Sequence, residues 1–169
     1  DHLSGAQVLK SRCGAKIAIG DGICKVQESF THLFNLKPTF CSDGSQFDRL
    51  LSAGETVAIG TIECRVLATP GHTSDSVTYV AGDAAFVGDT LFMPDVGTAR
   101  CDFPGGDAGR LYDSIQAILS LPRETLLYLC HDYPPEGREM RYRCSIAEQG
   151  ASNIHIGGGR SREEFVALR

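Results

Sequence analysis

Four short polar clusters carry the residues of this sequence that could do chemistry. They are Asp1-His2 at the start, His72 in Thr69-Pro70-Gly71-His72-Thr73, Asp89 after Phe86-Val87-Gly88, and His131 after Leu126-Leu127-Tyr128-Leu129-Cys130. The last three each follow an apolar run, so the chain leaves a buried strand and at once presents an imidazole or a carboxylate. A carboxylate at the end of such a run is costly unless a charge meets it. Imidazole and carboxylate donors together suit zinc or iron, and several loops converging at one sheet edge would make a metal centre. Each residue also has a plainer alternative: His72 a turn histidine bonded to backbone, Asp89 a helix cap, His131 a satisfied core histidine. His32 and His155 are read as solvated or hydrogen-bonding residues. Gly105-Gly106 and Gly157-Gly158-Gly159 lack the Lys and Ser/Thr of a phosphate-binding P-loop.

The elements that must position these residues follow from periodicity. Leu3 to Cys13 predicts a helix stopped by Gly14, and Ala15 to Ile19 a short buried strand. Ile23, Val26, Phe30, Leu33 and Phe34 recur at helical spacing until Pro38. Thr56 to Ala68, broken at Gly60-Thr61, reads as a hairpin that feeds the His72 loop, and Val77 to Val87 as a second one turning at Gly82-Asp83. Pro94 to Gly106 is a long irregular loop, which in a compact domain is usually functional, and here would form a substrate wall. Asp107 caps a helix whose Leu111, Ile115, Ile118 and Leu119 share a face, ended by Pro122. A strand then runs to His131, followed by helices near Cys144 to Asn153 and from Ser161 onward. Hairpins alternating with helices exclude a purely parallel Rossmann sheet and favour layered sheets with flanking helices.

Composition narrows the partners. The 169 residues, with 42% hydrophobic and 22% charged content, suit a single soluble domain. A net charge of −5 without a basic cluster gives no electrostatic reason for nucleic acid to bind, so a small molecule is expected instead. No apolar stretch approaches the roughly 20 residues that span a bilayer. Seven cysteines without a C-x-x-C pair fit a reducing cytoplasm, and most read as small buried hydrophobes. Cys101 and Cys130 stand apart because they adjoin candidate site residues.

The ordered motifs Asp1-His2-Leu3-Ser4-Gly5-Ala6, T-P-G-H-T at 69 to 73, G-D-T at 88 to 90 and C-H-D-Y at 130 to 133 resemble the metallo-β-lactamase superfamily. The resemblance implies an α/β αββα sandwich, incomplete at the N-terminus, because Asp1-His2 matches only the end of that superfamily's H-x-H-x-D-H motif. It implies one metal position from Asp1, His2, Asp89 and His131 and another from His72 and Asp89, with Asp1 in the catalytic machinery. Arg100-Cys101-Asp102-Phe103 and His131-Asp132-Tyr133 look most like the persulfide dioxygenase branch. That likeness implies one Fe(II) per chain, held by His72, Asp89 and a further histidine upstream, and oxidation of glutathione persulfide to sulfite. Arg100 and Tyr133 would then contact the glutathione part, although Cys101 stands where that branch often has threonine. The alternative is a glyoxalase II-like thioester hydrolase with two Zn(II) per chain that uses all the retained ligands, Asp1, His2 and His131 included. Either enzyme takes a glutathione-based thiol or persulfide, a homodimer is compatible with both, and a third alternative is that the isolated 169-residue stretch is an inactive fragment, expected to bind metal weakly and turn over little.

Overall fold

The computed structural model describes residues 4–37, 39–102 and 104–169, and the chain forms two compact units, Asp1–Ser52 and Ala53–Arg169. In the first, helix α1 (Ala6–Cys13) ends at Gly14, whose φ of 67° supplies the left-handed turn that accepts no side chain cheaply. Strands β1 (Ala18–Gly20) and β2 (Arg49–Leu51) pair in parallel, with Ile19 opposite Leu50. Parallel neighbours need a long crossover, and helix α2 (Ile23–Leu33) lies within it. Asp48 fixes the crossover's end by accepting from the Ile17 N–H at 2.8 Å and the Lys10 ammonium at 2.6 Å.

The second unit is built on a six-stranded sheet in the order β3 (Thr56–Ile59), β4 (Ile62–Ala68), β5 (Val77–Ala81), β6 (Ala84–Phe86), β7 (Leu126–Tyr128) and β8 (Arg143–Ser145). All neighbours are antiparallel except β6 and β7. That parallel pair brings two strand ends side by side, with Phe86 opposite Tyr128, so the chain leaving β6 and the chain leaving β7 emerge together. The intervening crossover carries helix α3 (Ala108–Leu119), started by the Asp107 carboxylate accepting from the Arg110 N–H at 2.7 Å. Its Leu111, Ile115 and Ile118 are fully buried in one core with Ala85 of β6, Leu127 of β7 and Cys144 of β8. Helices α4 (Ile146–Ser152) and α5 (Arg162–Leu168) add Ile146 and Phe165 to it, each helix starting with a Ser/Glu capping box.

The two hairpins, the His72 loop and the capped helix lie where periodicity places them. Two strands escape the sequence reading. Strand β8 occupies residues assigned to the start of a helix, although Ser145-Ile146-Ala147-Glu148 is a capping box that sets the helix start at Ile146. Strands β2 and β8 are three residues long, too short for an alternation to register against background. Among the described residues no helix is long and apolar enough to cross a membrane.

Candidate metal centre

The loop that presents His72 is clamped before the histidine is reached. Thr69 and Thr78 hydroxyls share a buried hydrogen bond of 3.1 Å, Ser114 of α3 donates to the Pro70 carbonyl at 2.6 Å, and the Asp107 N–H donates to the Gly71 carbonyl at 2.8 Å. Gly71 has φ +143°, and a Cβ there would stand 2.3 Å from the Leu111 Cα, so only glycine lets the loop lie this close to α3. These contacts fix His72 beyond the end of β4.

Its ring is oriented by its other nitrogen. Nδ1 lies 2.9 Å from the Arg100 backbone carbonyl, which can only accept, so Nδ1 donates there and Nε2 is the ring nitrogen left to face the site. Nε2 faces the Asp89 Oδ2 at 3.8 Å, with the two side chains only 8% and 11% exposed. With Nδ1 engaged by the carbonyl, Nε2 and Asp89 Oδ2 are the two donor atoms that face each other across this gap. The separation exceeds a hydrogen bond and is shorter than two metal–ligand bonds of about 2.1 Å laid end to end, so this donor pair fits a bound zinc or iron ion.

Asp89 follows β6 on a single 3₁₀ turn, Gly88–Thr90, and His131 follows β7. The parallel pairing of these strands brings His131 Nε2 to 3.3 Å from Asp89 Oδ1, so the carboxylate lies between the two histidines. Cys130 also reaches the site, a residue that the sequence reading held only in reserve. Its thiol donates to the same Oδ1 at 2.7 Å, and the Asp89, Cys130 and His131 donor atoms all lie within 4.8 Å of one another. Burial, reinforced by that bond to a carboxylate, pushes the Cys130 thiol up to about 12. The sequence signal was its place next to His131 in a run that otherwise reads as core.

The surroundings are aromatic on one side and ionic on the other. Tyr133 is 59% exposed, edge-on to Phe92 at 5.6 Å and 5.8 Å from the His131 ring, so it borders the cluster from the solvent side. Arg100 touches the site through its carbonyl, while its guanidinium forms a two-pronged pair with Asp102 at the surface, which raises the guanidinium above its usual range. Asp132, next to His131, is held by Arg138 through two hydrogen bonds of 2.6 and 2.8 Å and by the Arg141 N–H, and these hold its carboxyl below the ordinary range. Arg138 also pairs with Asp95 of the irregular loop, joining the segment after His131 to that loop.

The irregular loop is held at residues 97–99 by side chains from the C-terminal part of the chain. Asn153 donates to the Gly97 carbonyl at 3.1 Å, Arg169 to the Thr98 and Ala99 carbonyls, and His155 Nδ1 accepts from the Thr98 N–H at 2.9 Å. His155 is therefore a hydrogen-bonding residue and not one of the clustered donors Asp89, Cys130 and His131. Asp1 and His2, expected as catalytic residue and metal ligand, and Phe103 of the Arg100–Phe103 motif lie outside the described residues.

The fold and this cluster define a class, and residues 1–131 match the metallo-beta-lactamase superfamily, to which the chain belongs. It is 53% identical to a probable metallo-hydrolase of Burkholderia pseudomallei, over 100% of this chain and 61% of that protein. It is 39% identical to the mitochondrial persulfide dioxygenase ETHE1 of Homo sapiens, over 53% of this chain and 36% of that protein. The crystal structure of ETHE1 from Myxococcus xanthus superposes with a TM-score of 0.75 at 34% identity, covering 99% of this chain and 63% of that one. The chain thus spans about three fifths or less of the length of these relatives.

Proposed function

We propose that the protein is an iron-dependent persulfide dioxygenase that oxidises glutathione persulfide to sulfite. The observation that carries the reading is the His72–Asp89 pair: one imidazole whose Nδ1 is engaged by the Arg100 carbonyl and whose Nε2 stands 3.8 Å from one oxygen of a shielded carboxylate. One more histidine would complete the two-histidine, one-carboxylate set of non-haem iron oxygenases, which leaves open positions for substrate and O₂. Bound there, iron would supply the redox chemistry between the persulfide sulfur and O₂. Overall, one persulfide, one O₂ and one water give one thiol and one sulfite, the outer sulfur being oxidised and O₂ reduced.

The chain's own residues bind and orient. Tyr133 offers an exposed ring beside the cluster against which the glutathione part can lie. Arg100 would exchange Asp102 for a substrate carboxylate, a swap between like partners at the surface that keeps both prongs of its fork bonded. His131 and Cys130, both on Asp89 Oδ1, hold that carboxylate so that its other oxygen faces His72. The similarity to persulfide dioxygenase ETHE1 supports the same reading.

The second reading is a zinc hydrolase of glutathione thioesters, favoured by Asp89 lying between two histidines and by the metallo-hydrolase relative. There the two metals would activate a water and polarise the carbonyl. Metal analysis of the intact protein, purified without added metal, with oxygen uptake on glutathione persulfide, tests both. About one iron per chain with persulfide-dependent uptake is the expected result. Two zinc ions, no uptake and hydrolysis of a glutathione thioester would replace the dioxygenase with the hydrolase.

A further inference from the structure

We propose that Arg169 and His155 are positioning residues for His72: by binding the backbone of Thr98 and Ala99 they set the Arg100 carbonyl that orients the His72 ring. The proposal rests on His72 and Asp89 being the metal-facing pair. The His72 loop fixes the backbone of that residue, but its Nδ1 depends on a carbonyl 28 residues further along, at Arg100. The peptide units just before that carbonyl are bound by side chains from the end of the chain. Arg169 Nη2 donates to the Ala99 carbonyl at 2.6 Å and to the Thr98 carbonyl at 3.2 Å. The Thr98 N–H donates to His155 Nδ1 at 2.9 Å, and the Thr98 hydroxyl lies 3.2 Å from the same nitrogen.

Thr98 and Ala99 are buried, so their backbone groups must find partners within the protein. An N–H can only donate, so His155 Nδ1 accepts; burial, then the positive charges of Arg169 and Arg160, lowers the pKa of the ring and keeps that nitrogen unprotonated. Gly97 makes room for the contact, since a Cβ there would stand 2.2 Å from His155 Nδ1. The bond from a charged guanidinium to a carbonyl is stronger than one between neutral groups, so Arg169 is the firmer of the two anchors. With Thr98 and Ala99 held, the Arg100 carbonyl one residue on is aimed at His72; with them released, the imidazole can turn and Nε2 leaves its place 3.8 Å from Asp89 Oδ2. Arg162, near the other end of α5, supplies the contrast: its guanidinium pairs with Asp113 of α3 at 3.1 and 3.3 Å, a contact that supports the fold without touching the loop.

The test is NMR of the metal-free, ¹⁵N-labelled intact protein, followed by titration with Co(II) and a thermal melt of each variant. The wild type should show a slowly exchanging His72 Nδ1–H resonance, assigned by its loss in His72→Gln. Arg169→Met and His155→Leu should shift or lose it and bind Co(II) about tenfold more weakly. Arg169→Lys, which keeps a cationic donor, and His155→Asn, whose amide oxygen falls near the place of Nδ1, should restore most of both. Arg162→Met should keep the resonance and the affinity even where its melt falls. The proposal is overturned by a wild type without the resonance, by folded Arg169→Met and His155→Leu proteins with unchanged resonance and affinity, or by Arg162→Met showing the same losses. A wild type that shows the resonance but binds no Co(II) removes the metal-site reading instead, and the resonance in the variants then decides the positioning by itself.

Discussion

Replacing Gly71 by alanine should disable the metal centre without touching any candidate ligand. The new Cβ would sit 2.3 Å from the Leu111 Cα and 2.4 Å from its amide nitrogen, while ordinary contact begins near 3.4 Å. The loop or helix α3 must therefore yield by about 1.1 Å, the difference between 3.4 and 2.3 Å. The obstacle is backbone in a buried helix, which cannot rotate aside as a side chain tip can. Overpacking of this kind typically costs about 1–3 kcal/mol, and holding alanine at φ +143° adds roughly 1–3 kcal/mol. His72 is the next residue, so the displacement passes into the 3.8 Å gap between its Nε2 and Asp89. Misplacement by about 1 Å at a reacting centre can lower the rate about 100-fold. The assay is metal content per chain and a thermal melt of Gly71→Ala beside Gly150→Ala. Gly150 lies in α4 with nothing within 4 Å of a new Cβ and no positive φ, so alanine there should stabilise by about 0.5–1 kcal/mol and leave the metal in place. A Gly71→Ala protein with wild-type melting and full metal would refute the argument that this close approach positions His72.

Ile115→Ala removes a fully buried side chain from the core between α3 and the sheet; a loss of about 3 kcal/mol, or roughly 6–12 °C in the melt, is expected in calorimetry. Asp132→Asn breaks the pair with Arg138. The folded-state pKa of Asp132 is depressed, so the wild type's advantage is present above the ordinary carboxylate pKa and is lost as pH falls through and below it; melts from pH 7 down to pH 3 should show the wild type and variant converging. Tyr133→Ala should raise KM for the glutathione-based substrate more than it lowers kcat, because the ring borders the cluster without reaching the His72–Asp89 gap; an equal fall in kcat and kcat/KM would place it in the reacting machinery instead.

Local chemistry made much of this molecule legible from sequence. Alternating hairpins, the Asp107 cap and the Gly14 stop are determined within a few residues, because the periodicity and the backbone freedom they rely on are local. The three polar residues following apolar runs could likewise be singled out, since burying a run and then a charge is a conflict visible in one dimension. That Asp89 is shared by His72 and His131 was implied by the family resemblance and not by local pattern, because their meeting depends on β6 and β7 pairing in parallel across the α3 crossover. Tertiary structure alone decided that Asp89 faces His72 with one oxygen and His131 with the other, and that the Cys130 sulfur joins them. It also engaged the guanidinium of Arg100 with Asp102 and left its carbonyl to orient His72. The physical reason is the same throughout: residue type fixes what a side chain can do, while long-range strand pairing fixes what stands within 4 Å of it.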